Sequence, residues 1–335
     1  MSADVTVLDS TYSGVPFVEV YPNFPLETLP DWLSVNIGVA LVYGADNKCV
    51  VLPDGRKYHL DNRLNEKTGR DWTLFINSVF NTRYPTNGTE SYAHSIRRVH
   101  PSPKPPQLMR DLIEFFTKKE GLVFDCFAGV GGTLLGAALC GRKAVGIELN
   151  KKYIAAYEQA AIALNLERFP IICGDSVSLL ADNVAMQNLL GGKEISLMLI
   201  DPPYSNMMNK PKTGGDAIAI GNDAPTPFTT DNRDLGNMPR VQFLDALKET
   251  VNLALRYIKF RGYVIVFIKD IQPSKKEINF LHAEVVNKIN EISNVYYKGM
   301  KIWADNSAKM YPYGYPFSFV ANQIHQYILV FRKEK

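Results

Sequence analysis

The sequence GLVFDCFAGVGGTLLGA, residues 121–137, contains the pattern that decides the fold. An apolar run ends in Asp125, the chain then passes Gly129, Gly131 and Gly132, and an apolar helical pattern follows. This order is typical of a buried strand, a tight turn and a helix that begins beside the strand end. The spacing is not GxGxxG and no GK[ST] follows, which excludes a phosphate cradle of the P-loop type. The turn is compatible with a ligand at the helix N-terminus or with a tight turn that binds nothing.

The chain on both sides of this stretch continues the alternation of helices and strands. An amphipathic helix that begins with prolines is predicted in PKPPQLMRDLIEFFTKKE. Further helices are predicted at residues 132–140, 150–165, 176–190, 240–258 and 275–292. Strands are predicted in GLVFDCFAG, KAVGIEL, FPIICGD, ISLMLID, GYVIVFIKD, VYYKGMKIW and HQYILVFRK. Nearly continuous apolar strands separated by helices indicate an α/β fold, a doubly wound and mostly parallel seven-stranded sheet whose last two strands form an antiparallel hairpin.

Two regions do not follow the alternation. Residues 1–99 contain the turn signals ADNK and PDGR between alternating apolar runs, which predict small β-hairpins. We therefore expect a β-rich extension over residues 1–99 and an α/β domain of the Rossmann-like kind over residues 100–335. Residues 205–239, rich in Gly, Asn, Pro, Thr and Asp, interrupt the second domain, and a loop of that length is functional or disordered.

The amino-acid composition and the charge distribution of the chain indicate which class of protein it belongs to. The chain has 335 residues, of which 46% are hydrophobic, but no apolar run approaches the ~18 residues of a membrane span. The N-terminus lacks the features of a signal peptide, and the four cysteines form no CxxC pair, so we expect a soluble, cytoplasmic protein without a metal site. Residues 1–204 hold 19 Lys and Arg against 22 Asp and Glu, whereas residues 205–335 hold 18 against 12. The basic C-terminal part is compatible with a polyanionic partner.

Acidic residues end three consecutive strands of the predicted sheet. Asp125 ends the first strand, Glu148 the second and Asp175 the third. A carboxylate at the end of the second strand is placed to accept hydrogen bonds from both hydroxyls of a ribose. Asp175 has an equally good alternative role as the N-cap of the following helix. Acidic strand ends without a basic phosphate binder suggest a nucleoside ligand that lacks a pyrophosphate, and S-adenosylmethionine fits, with its amino acid end near Asp125.

The strand LMLID is followed by Pro-Pro-Tyr, so residues 201–204 read DPPY. The two prolines stop the strand pairing and leave carbonyl oxygens as acceptors. Asp201 and the Pro202 carbonyl could then accept hydrogen bonds from one planar amino group, while the Tyr204 ring offers a face for a heterocycle. The structural alternative is a proline turn after a buried strand.

Together these motifs resemble a known family. The order HPSPKPPQLM (100–109), DCFAGVGGT (125–133), GIELN (146–150), GD (174–175) and DPPY (201–204) resembles the S-adenosylmethionine-dependent amino-methyltransferases of DNA. The resemblance covers about residues 95–335. It implies a cofactor site formed by Ser102, Lys104, Pro105, Asp125, Phe127, Gly129, Glu148, Asp175 and Ser176. It implies a catalytic tetrad formed by Asp201, Pro202, Pro203 and Tyr204.

The resemblance also implies a reaction and partners. The expected substrate is double-stranded DNA, from which a base is rotated into a pocket above DPPY. The family associates DPPY mainly with adenine N6, and cytosine N4 and guanine N2 of tRNA or rRNA stay as alternatives, as does a catalytically silent DNA-binding subunit. A homodimer or a cognate restriction enzyme would be further partners of a restriction-modification system.

Three segments are candidates for target recognition, because the cofactor motifs precede DPPY and no recognition domain can be transferred by position. They are residues 205–239, the extension over residues 1–99 and the aromatic hairpin MYPYGYPFSF, residues 310–319. The resemblance suggests that one ring of the hairpin packs against the flipped base, and the alternative is a locally packed aromatic loop. For Arg97, Arg98 and His100, contact with phosphate and a solvated surface position are both compatible with the sequence.

Overall fold

The computed structural model describes residues 14–209, 224, 226–270, 280–308 and 310–335. It divides into two compact units, one formed within residues 1–77 and 114–119 and the other within residues 78–113 and 120–335. The boundary therefore lies at residues 77/78 and not at the expected 99/100. The reason is that the strand Val79–Thr82 pairs with Ile302–Asp305 in the large sheet, which places residues 78–99 in the α/β unit.

The smaller unit contains a four-stranded antiparallel sheet in the order β1-β2-β3-β4. Its strands are β1 (Val15–Pro16), β2 (Leu41–Tyr43), β3 (Cys49–Val51) and β4 (Lys57–His59), and its helices are α1 (Phe17–Val20), α2 (Asp31–Ser34) and α3 (Gly69–Phe75). The two predicted turns connect β2 to β3 and β3 to β4. A separate core forms around Phe17, Leu33 and Tyr58, so this unit has its own hydrophobic interior.

The larger unit contains an eight-stranded sheet in the order β5-β11-β12-β10-β9-β6-β7-β8. Its strands are β5 (Val79–Thr82), β6 (Leu122–Asp125), β7 (Lys143–Glu148), β8 (Ile171–Cys173), β9 (Ile195–Ile200), β10 (Ile258–Ile268), β11 (Val295–Asp305) and β12 (His325–Lys333). Its helices are α4 (His94–Arg97), α5 (Pro106–Phe116), α6 (Gly132–Leu139), α7 (Lys151–Ala163), α8 (Ser176–Ala181), α9 (Asn183–Leu190), α10 (Arg240–Ala254) and α11 (Leu281–Asn290). Residues 114–116, at the end of α5, are assigned to the smaller unit.

The sheet is doubly wound, as predicted. From the central β6 the chain proceeds through β7 to β8 on one side, then crosses to β9 and β10 on the other. These five strands are parallel, whereas β12 lies between β10 and β11 and is antiparallel to both. The predicted hairpin is confirmed. The predicted number of seven strands is wrong because β5, a short edge strand from the region read as an extension, adds an eighth.

The central strands are fully buried, which explains their unbroken apolar sequence. All residues of β6 and β9 are buried, as expected for a sheet covered on both faces. Phe124, Met198 and Val266 are 0% exposed and belong to the main hydrophobic core. In such sheets, ligands bind beyond the carboxyl ends of the strands at the point where the strand order reverses, which here lies between β6 and β9.

Local differences from the predicted elements have identifiable causes. The predicted helix over residues 176–190 is two helices, because the side chain of Asp182 accepts hydrogen bonds from the amides of Val184 and Ala185 and caps the second one. The predicted helix over residues 275–292 is described from Leu281, since residues 271–279 lie outside the described residues. The 205–239 segment is described only at 205–209, 224 and 226–239.

Within the described parts of the chain, no helix has the length and apolar character needed to cross a membrane. The same residues contain no group of three or more His, Cys, Asp or Glu side chains arranged to hold a metal ion.

Candidate active site

A cleft of about 1040 Å³, partly open to solvent, lies at the carboxyl edge of the large sheet. It runs from the ends of β7 and β8 past the end of β9 to the start of β12. Eleven of the thirteen residues predicted for the site line it: Ser102, Lys104, Phe127, Gly129, Glu148, Asp175, Ser176, Asp201, Pro202, Pro203 and Tyr204. The topology therefore brings both predicted groups, the cofactor residues and the tetrad, to one cavity.

Two predicted residues lie outside this cleft. Asp125 lines a smaller adjoining cavity of about 320 Å³, together with Lys104 and Asp201. Pro105 lines a third cavity of about 630 Å³ that also contains Tyr84 and Trp303. Pro105 directly precedes helix α5, so its position beside the cofactor motif in sequence does not place it against the cleft.

The turn between β6 and α6 needs its glycines for backbone conformation and for packing within the protein. Gly129 and Gly131 have φ angles of +52° and +74°, a region that favours glycine. A Cβ on Gly131 would lie 2.0 Å from the ring of Tyr157, a residue of α7. At this position the missing side chain makes room for packing within the protein. Of the three turn glycines, Gly129 is the one that lines the cleft.

Glu148, at the end of β7, is held by backbone amides. Its two carboxylate oxygens accept hydrogen bonds from the amides of Gly129 and Asn150, both at 2.7 Å. The residue is 8% exposed, and burial raises the pKa of its carboxyl to about 7. Because an ionised carboxylate offers about four acceptor positions, it can still receive hydrogen bonds from a ligand.

Two other buried carboxylates lie near Glu148. Burial raises the pKa of Asp125 to about 7 and also raises the pKa of Asp234. Asp234 accepts hydrogen bonds from the Gly236 amide and the Thr229 hydroxyl, both at 2.8 Å. Within the described residues none of the three carboxylates forms an ion pair. Such a negative, hydroxyl-accepting region suits a cationic ligand with a ribose and disfavours a phosphate.

Asp175 and Ser176 both make internal contacts. The Asp175 carboxylate accepts hydrogen bonds from the Ser178 amide at 2.8 Å and the Ser178 hydroxyl at 2.7 Å, so it is the N-cap of α8. The Ser176 hydroxyl donates to the Cys126 carbonyl at 2.5 Å and ties the end of β8 to the end of β6. The capping alternative for Asp175 is thus present, and both residues still line the cleft.

Asp201 is held by Lys104, which is distant in the chain, and by Tyr204, which is three residues away. Its Oδ2 atom is 2.5 Å from Lys104 Nζ, and its Oδ1 atom accepts a hydrogen bond from the Tyr204 hydroxyl at 2.6 Å. The Lys104 and Asp201 side chains are only 6% and 17% exposed. Lys104 Nζ also lies 5.3 Å from the centre of the Phe267 ring. Tyr204 therefore orients Asp201 through its hydroxyl, a contact that the stacking role predicted from the sequence does not include.

The far wall of the cleft comes from residues that sequence reasoning did not identify. Phe228 lies in the 205–239 segment, and its carbonyl accepts hydrogen bonds from Asn150 Nδ2 at 3.2 Å and from the Tyr153 hydroxyl at 3.1 Å. Its ring lies 5.0 Å from that of His100. Burial lowers the pKa of His100 to about 4, so its imidazole is neutral at pH 7. No motif marks Phe228 or Asp234, because their contacts depend on how the segment folds back over α7.

Arg97 is a buried structural residue, contrary to both roles that the sequence left open. It is 1% exposed, and its guanidinium donates hydrogen bonds to the carbonyls of Val130, at 3.2 Å, and Lys104. It thereby connects the glycine turn to the segment that carries Lys104. The sequence does not indicate that Arg97 is buried, because a single Arg before a helix is most often exposed to solvent.

The aromatic hairpin also differs from its prediction. Tyr315, Phe317 and Phe319 are 81%, 93% and 94% exposed, so the loop is not locally packed around these rings. The described residues that line the cleft and its two neighbouring cavities include none of the three. These three rings therefore do not line the cleft, and contact of one hairpin ring with the rotated base stays a prediction.

Several known proteins match parts of this chain in sequence. Residues 54–159 match the model of the N6/N4 methyltransferase family, described as DNA methylase. Over 73 residues the chain is 40% identical to the methylase YubD of Escherichia coli, covering 22% of this chain and 32% of that one. Over 71 residues it is 34% identical to the Type II methyltransferase M1.MboII of Moraxella bovis, covering 21% and 26%. The tRNA (guanine(10)-N2)-dimethyltransferase of Methanocaldococcus jannaschii is 28% identical over 138 residues, covering 39% and 37%.

These matches confirm the predicted resemblance to the amino-methyltransferases of DNA. They are partial, since the chain spans between 26% and 37% of the length of these three relatives. The family match ends at residue 159, so it includes the motifs from HPSPKPPQLM to GIELN but neither GD at 174–175 nor DPPY at 201–204.

Proposed function

We propose that this chain, a relative of the amino-methyltransferases of DNA, transfers a methyl group from S-adenosylmethionine to the exocyclic amino group of a base in double-stranded DNA, at adenine N6. One observation carries the proposal. Asp201 and Tyr204, joined by a hydrogen bond of 2.6 Å, share a single cleft with the unpaired carboxylate of Glu148. One cavity thus contains both an acceptor suited to an amino group and an acceptor suited to a ribose.

The chemistry of the cleft fits S-adenosylmethionine, a cation with a ribose and no phosphate. Glu148 would accept hydrogen bonds from the ribose hydroxyls, and Asp175 and Ser176 would lie beside the adenine. Asp125, in the adjoining cavity, would face the amino acid end, and the Lys104 ammonium would face its carboxylate. When bound, the cofactor supplies an electrophilic methyl group on a sulfonium. Phe228 and Tyr153 would cover this part of the cleft and exclude water from it.

Asp201 and the Pro202 carbonyl would orient the amino group of the base. By accepting its two N–H groups they would turn the nitrogen lone pair toward the methyl group. Methyl transfer to this nitrogen would form one N–C bond as the donor's S–C bond breaks, and the nitrogen would then lose one of its two protons, which Asp201 is placed to receive. We expect alignment of the two reacting atoms to supply much of the rate acceleration. No cysteine lies in a nucleophilic position in the cleft, since burial raises the pKa of the Cys126 thiol well above its usual value.

A second candidate is methylation of guanine N2 in RNA. It is favoured by the match to the tRNA (guanine(10)-N2)-dimethyltransferase, which covers more of this chain than the two DNA-related matches. Methylation of cytosine N4 in DNA is the third. DPPY, which the resemblance associates mainly with adenine, supports the first choice.

The experiment is a competition for labelled methyl groups. The purified protein is incubated with methyl-labelled S-adenosylmethionine, duplex DNA and tRNA, and the nucleosides are identified by mass spectrometry. We expect N6-methyl-2′-deoxyadenosine from the DNA fraction and no labelled nucleoside from the tRNA. Label in N2-methylguanosine of the tRNA would support the second candidate and contradict the first. Sequencing of methylated bases from cells that express the chain would then identify the target motif and show whether it is that of a restriction-modification system.

A further inference from the structure

One cation of the cleft has no partner among the described residues. In the described part of the chain, three positively charged side chains line the cleft, those of Lys104, Arg233 and Lys269. Lys104 pairs with Asp201 at 2.5 Å, and Arg233 pairs with Asp231 at 2.6 Å. The Lys269 side chain forms neither an ion pair nor a hydrogen bond with any residue that the structure describes. Its donors are therefore available to a ligand in the cleft.

Lys269 lies on the side of the tetrad that faces away from the proposed cofactor residues. The strands that carry those residues, β6, β7 and β8, lie on one side of β9, and β10 lies on the other. β9 and β10 are parallel, with Val266 beside Ile200. Three residues further along the two chain segments are Lys269 and Pro203, and both line the cleft. Lys269 is thus placed beside the tetrad, where the base and not the cofactor would lie.

The end of β10 holds the backbone of Lys269 in place. Ile268, directly before it, is 0% exposed, and Asp270, directly after it, is 9% exposed. The Asp270 carboxylate accepts a hydrogen bond from the His282 amide at 3.0 Å and lies 2.8 Å from Nδ1 of the same residue, near the start of α11. Because both neighbours of Lys269 are fixed, only its side chain has to be ordered when it binds a ligand, which lowers the entropic cost of binding.

The surroundings of Lys269 favour contact with a hydrogen-bond acceptor. Burial lowers the pKa of its ammonium and the nearby Lys104 lowers it further, while Asp305 has a smaller effect in the opposite direction. The charged form is therefore less stable here than in water, and an acceptor from a ligand would stabilise it. A lysine ammonium has three donors and no acceptor, so the ligand atom that it contacts must carry a free lone pair.

The three candidate bases differ in the atoms that they present next to the amino group. Adenine has an acceptor on both sides of it, N1 on one side and N7 on the other. Cytosine has the acceptor N3 on one side and a C–H group on the other. Guanine has the acceptor N3 on one side and an N–H donor on the other. Adenine therefore offers Lys269 an acceptor in either orientation of the ring, whereas cytosine and guanine do so in one orientation only.

We propose that Lys269 is a specificity-determining residue, which donates a hydrogen bond to a ring nitrogen of adenine beside the amino group held by Asp201. The proposal rests on the proposed function, since it needs a base held at the tetrad. The tetrad contacts the amino group, and Lys269 adds a contact to the ring itself. A site that hydrogen-bonds its substrate strongly rejects an analogue that lacks the partner atom, because a buried polar group is then left unpaired.

The test combines a change in the protein with a change in the base. Lys269→Met removes the donor and keeps a side chain of similar length. Three duplexes contain the methylated motif with adenine, 1-deazaadenine or 7-deazaadenine at the target position, so that one ring nitrogen at a time is replaced by C–H. On the adenine duplex we expect the variant's kcat/KM to be about 10- to 100-fold below that of the unsubstituted protein. On the one deaza duplex that lacks the accepting nitrogen, the two proteins should differ by less than about threefold, which identifies this nitrogen as N1 or N7.

Lys259→Met is the matched control, because Lys259 is a half-buried lysine near the opposite end of β10. It should leave kcat/KM unchanged on all three duplexes, and thermal melting should show that both variants fold. The affinity of Lys269→Met for S-adenosylhomocysteine should equal that of the unsubstituted protein, and a loss of this affinity would overturn the proposal by assigning Lys269 to the cofactor. No loss of kcat/KM on the adenine duplex would overturn it as well.

The pattern of losses separates this proposal from the proposed function. If Lys269→Met loses kcat/KM equally on the three duplexes, the assignment of Lys269 to a ring nitrogen is wrong while the proposed function stands. A weaker salt dependence of DNA binding by the variant would then assign Lys269 to a phosphate. If the unsubstituted protein does not methylate the adenine duplex, the proposed function is wrong, and the role of Lys269 in adenine recognition is wrong with it.

Discussion

The two halves of the cleft, the proposed cofactor half around Glu148 and the proposed catalytic half around Asp201, hold their carboxylates in different ways. In the cofactor half, Glu148 is held by the backbone amides of Gly129 and Asn150, within strand–turn–helix segments. In the catalytic half, Asp201 is held by Lys104, 97 residues away, and its partner Tyr204 contacts Gln326, 122 residues further along the chain. The Glu148 carboxylate is therefore positioned by turns near it in the sequence, whereas the Asp201 carboxylate is positioned in part by a lysine from a distant segment. Substitutions in the two halves should therefore separate binding from catalysis.

The largest expected effect is that of Asp201→Ala. Removing the acceptor that orients the amino group should lower kcat about 10³-fold, within the range for loss of a positioned proton acceptor. Because Asp201 and Glu148 lie at the ends of different strands, β9 and β7, affinity for S-adenosylhomocysteine, measured by calorimetry, should change less than about threefold. A well-folded variant that no longer binds S-adenosylhomocysteine would show that the two halves are not separable.

Glu148→Gln should weaken the binding of S-adenosylhomocysteine more than it lowers kcat. Hydrogen bonds to a charged group contribute about 1.5–3 kcal/mol, so affinity for S-adenosylhomocysteine should fall about 10- to 100-fold. At saturating cofactor, kcat should fall much less, because the tetrad is unchanged. Glu158→Gln, on the exposed face of α7, is the matched control and should leave affinity unaltered. A reduced kcat with unchanged affinity would place Glu148 in the catalytic half.

The affinity of the cofactor half should depend on pH near neutrality. Burial raises the pKa of Glu148 to about 7, so the carboxyl becomes protonated as the pH falls through 7. A protonated carboxyl loses acceptor capacity, and affinity for S-adenosylhomocysteine should therefore fall by up to about tenfold per pH unit below 7 and level off above it. Calorimetry between pH 6 and 8 measures this, and Glu148→Gln should reduce the slope. A slope unchanged in that variant would assign the titration to another group, such as Asp125.

The smallest expected effect is that of Asp234→Asn. The negative charge of Asp234 contributes to the raised pKa of Glu148, after burial. Removing it should lower that pKa, so that the pH midpoint of S-adenosylhomocysteine binding moves to lower pH by a fraction of a unit, about a twofold change in affinity near pH 6.5. An upward movement of the midpoint would contradict the electrostatic coupling between the two carboxylates.

Local patterns predicted which residues line the proposed cofactor half of the cleft, with Pro105 as an exception. Glu148, Asp175 and Gly129 line the cleft because each follows an apolar strand, and parallel strands bring their carboxyl ends to one edge. The same argument predicted that DPPY, which follows β9, lies at this edge of the sheet. Pro105 was misplaced because adjacency to a motif does not determine which way the chain faces. Asp234 and Phe228 were missed since an irregular segment carries no period from which a position can be predicted.

Most elements of the α/β unit were predicted from their apolar periods. The central strands lie where these periods predict them, the predicted helix over residues 176–190 is two helices, and the hairpin of β11 and β12 follows from the missing helix between them. The edge strand β5 was missed because its four residues alternate between exposed and half-buried, a signal too short to separate from a hairpin. Arg97 was misread because burial of a guanidinium depends on carbonyls supplied by other segments.

The sequence by itself determined the α/β alternation, the acidic strand ends and the placement of DPPY at the edge where ligands bind, because strand burial and strand–turn–helix geometry are encoded within a few neighbouring residues. Only the tertiary structure decided that Lys104 neutralises Asp201, that Asp234 joins the cofactor half and that the aromatic rings face outward. Each of these depends on contacts, or on their absence, between segments far apart in the chain. Such contacts follow from how the packed elements meet in space, which residue type and local period do not specify.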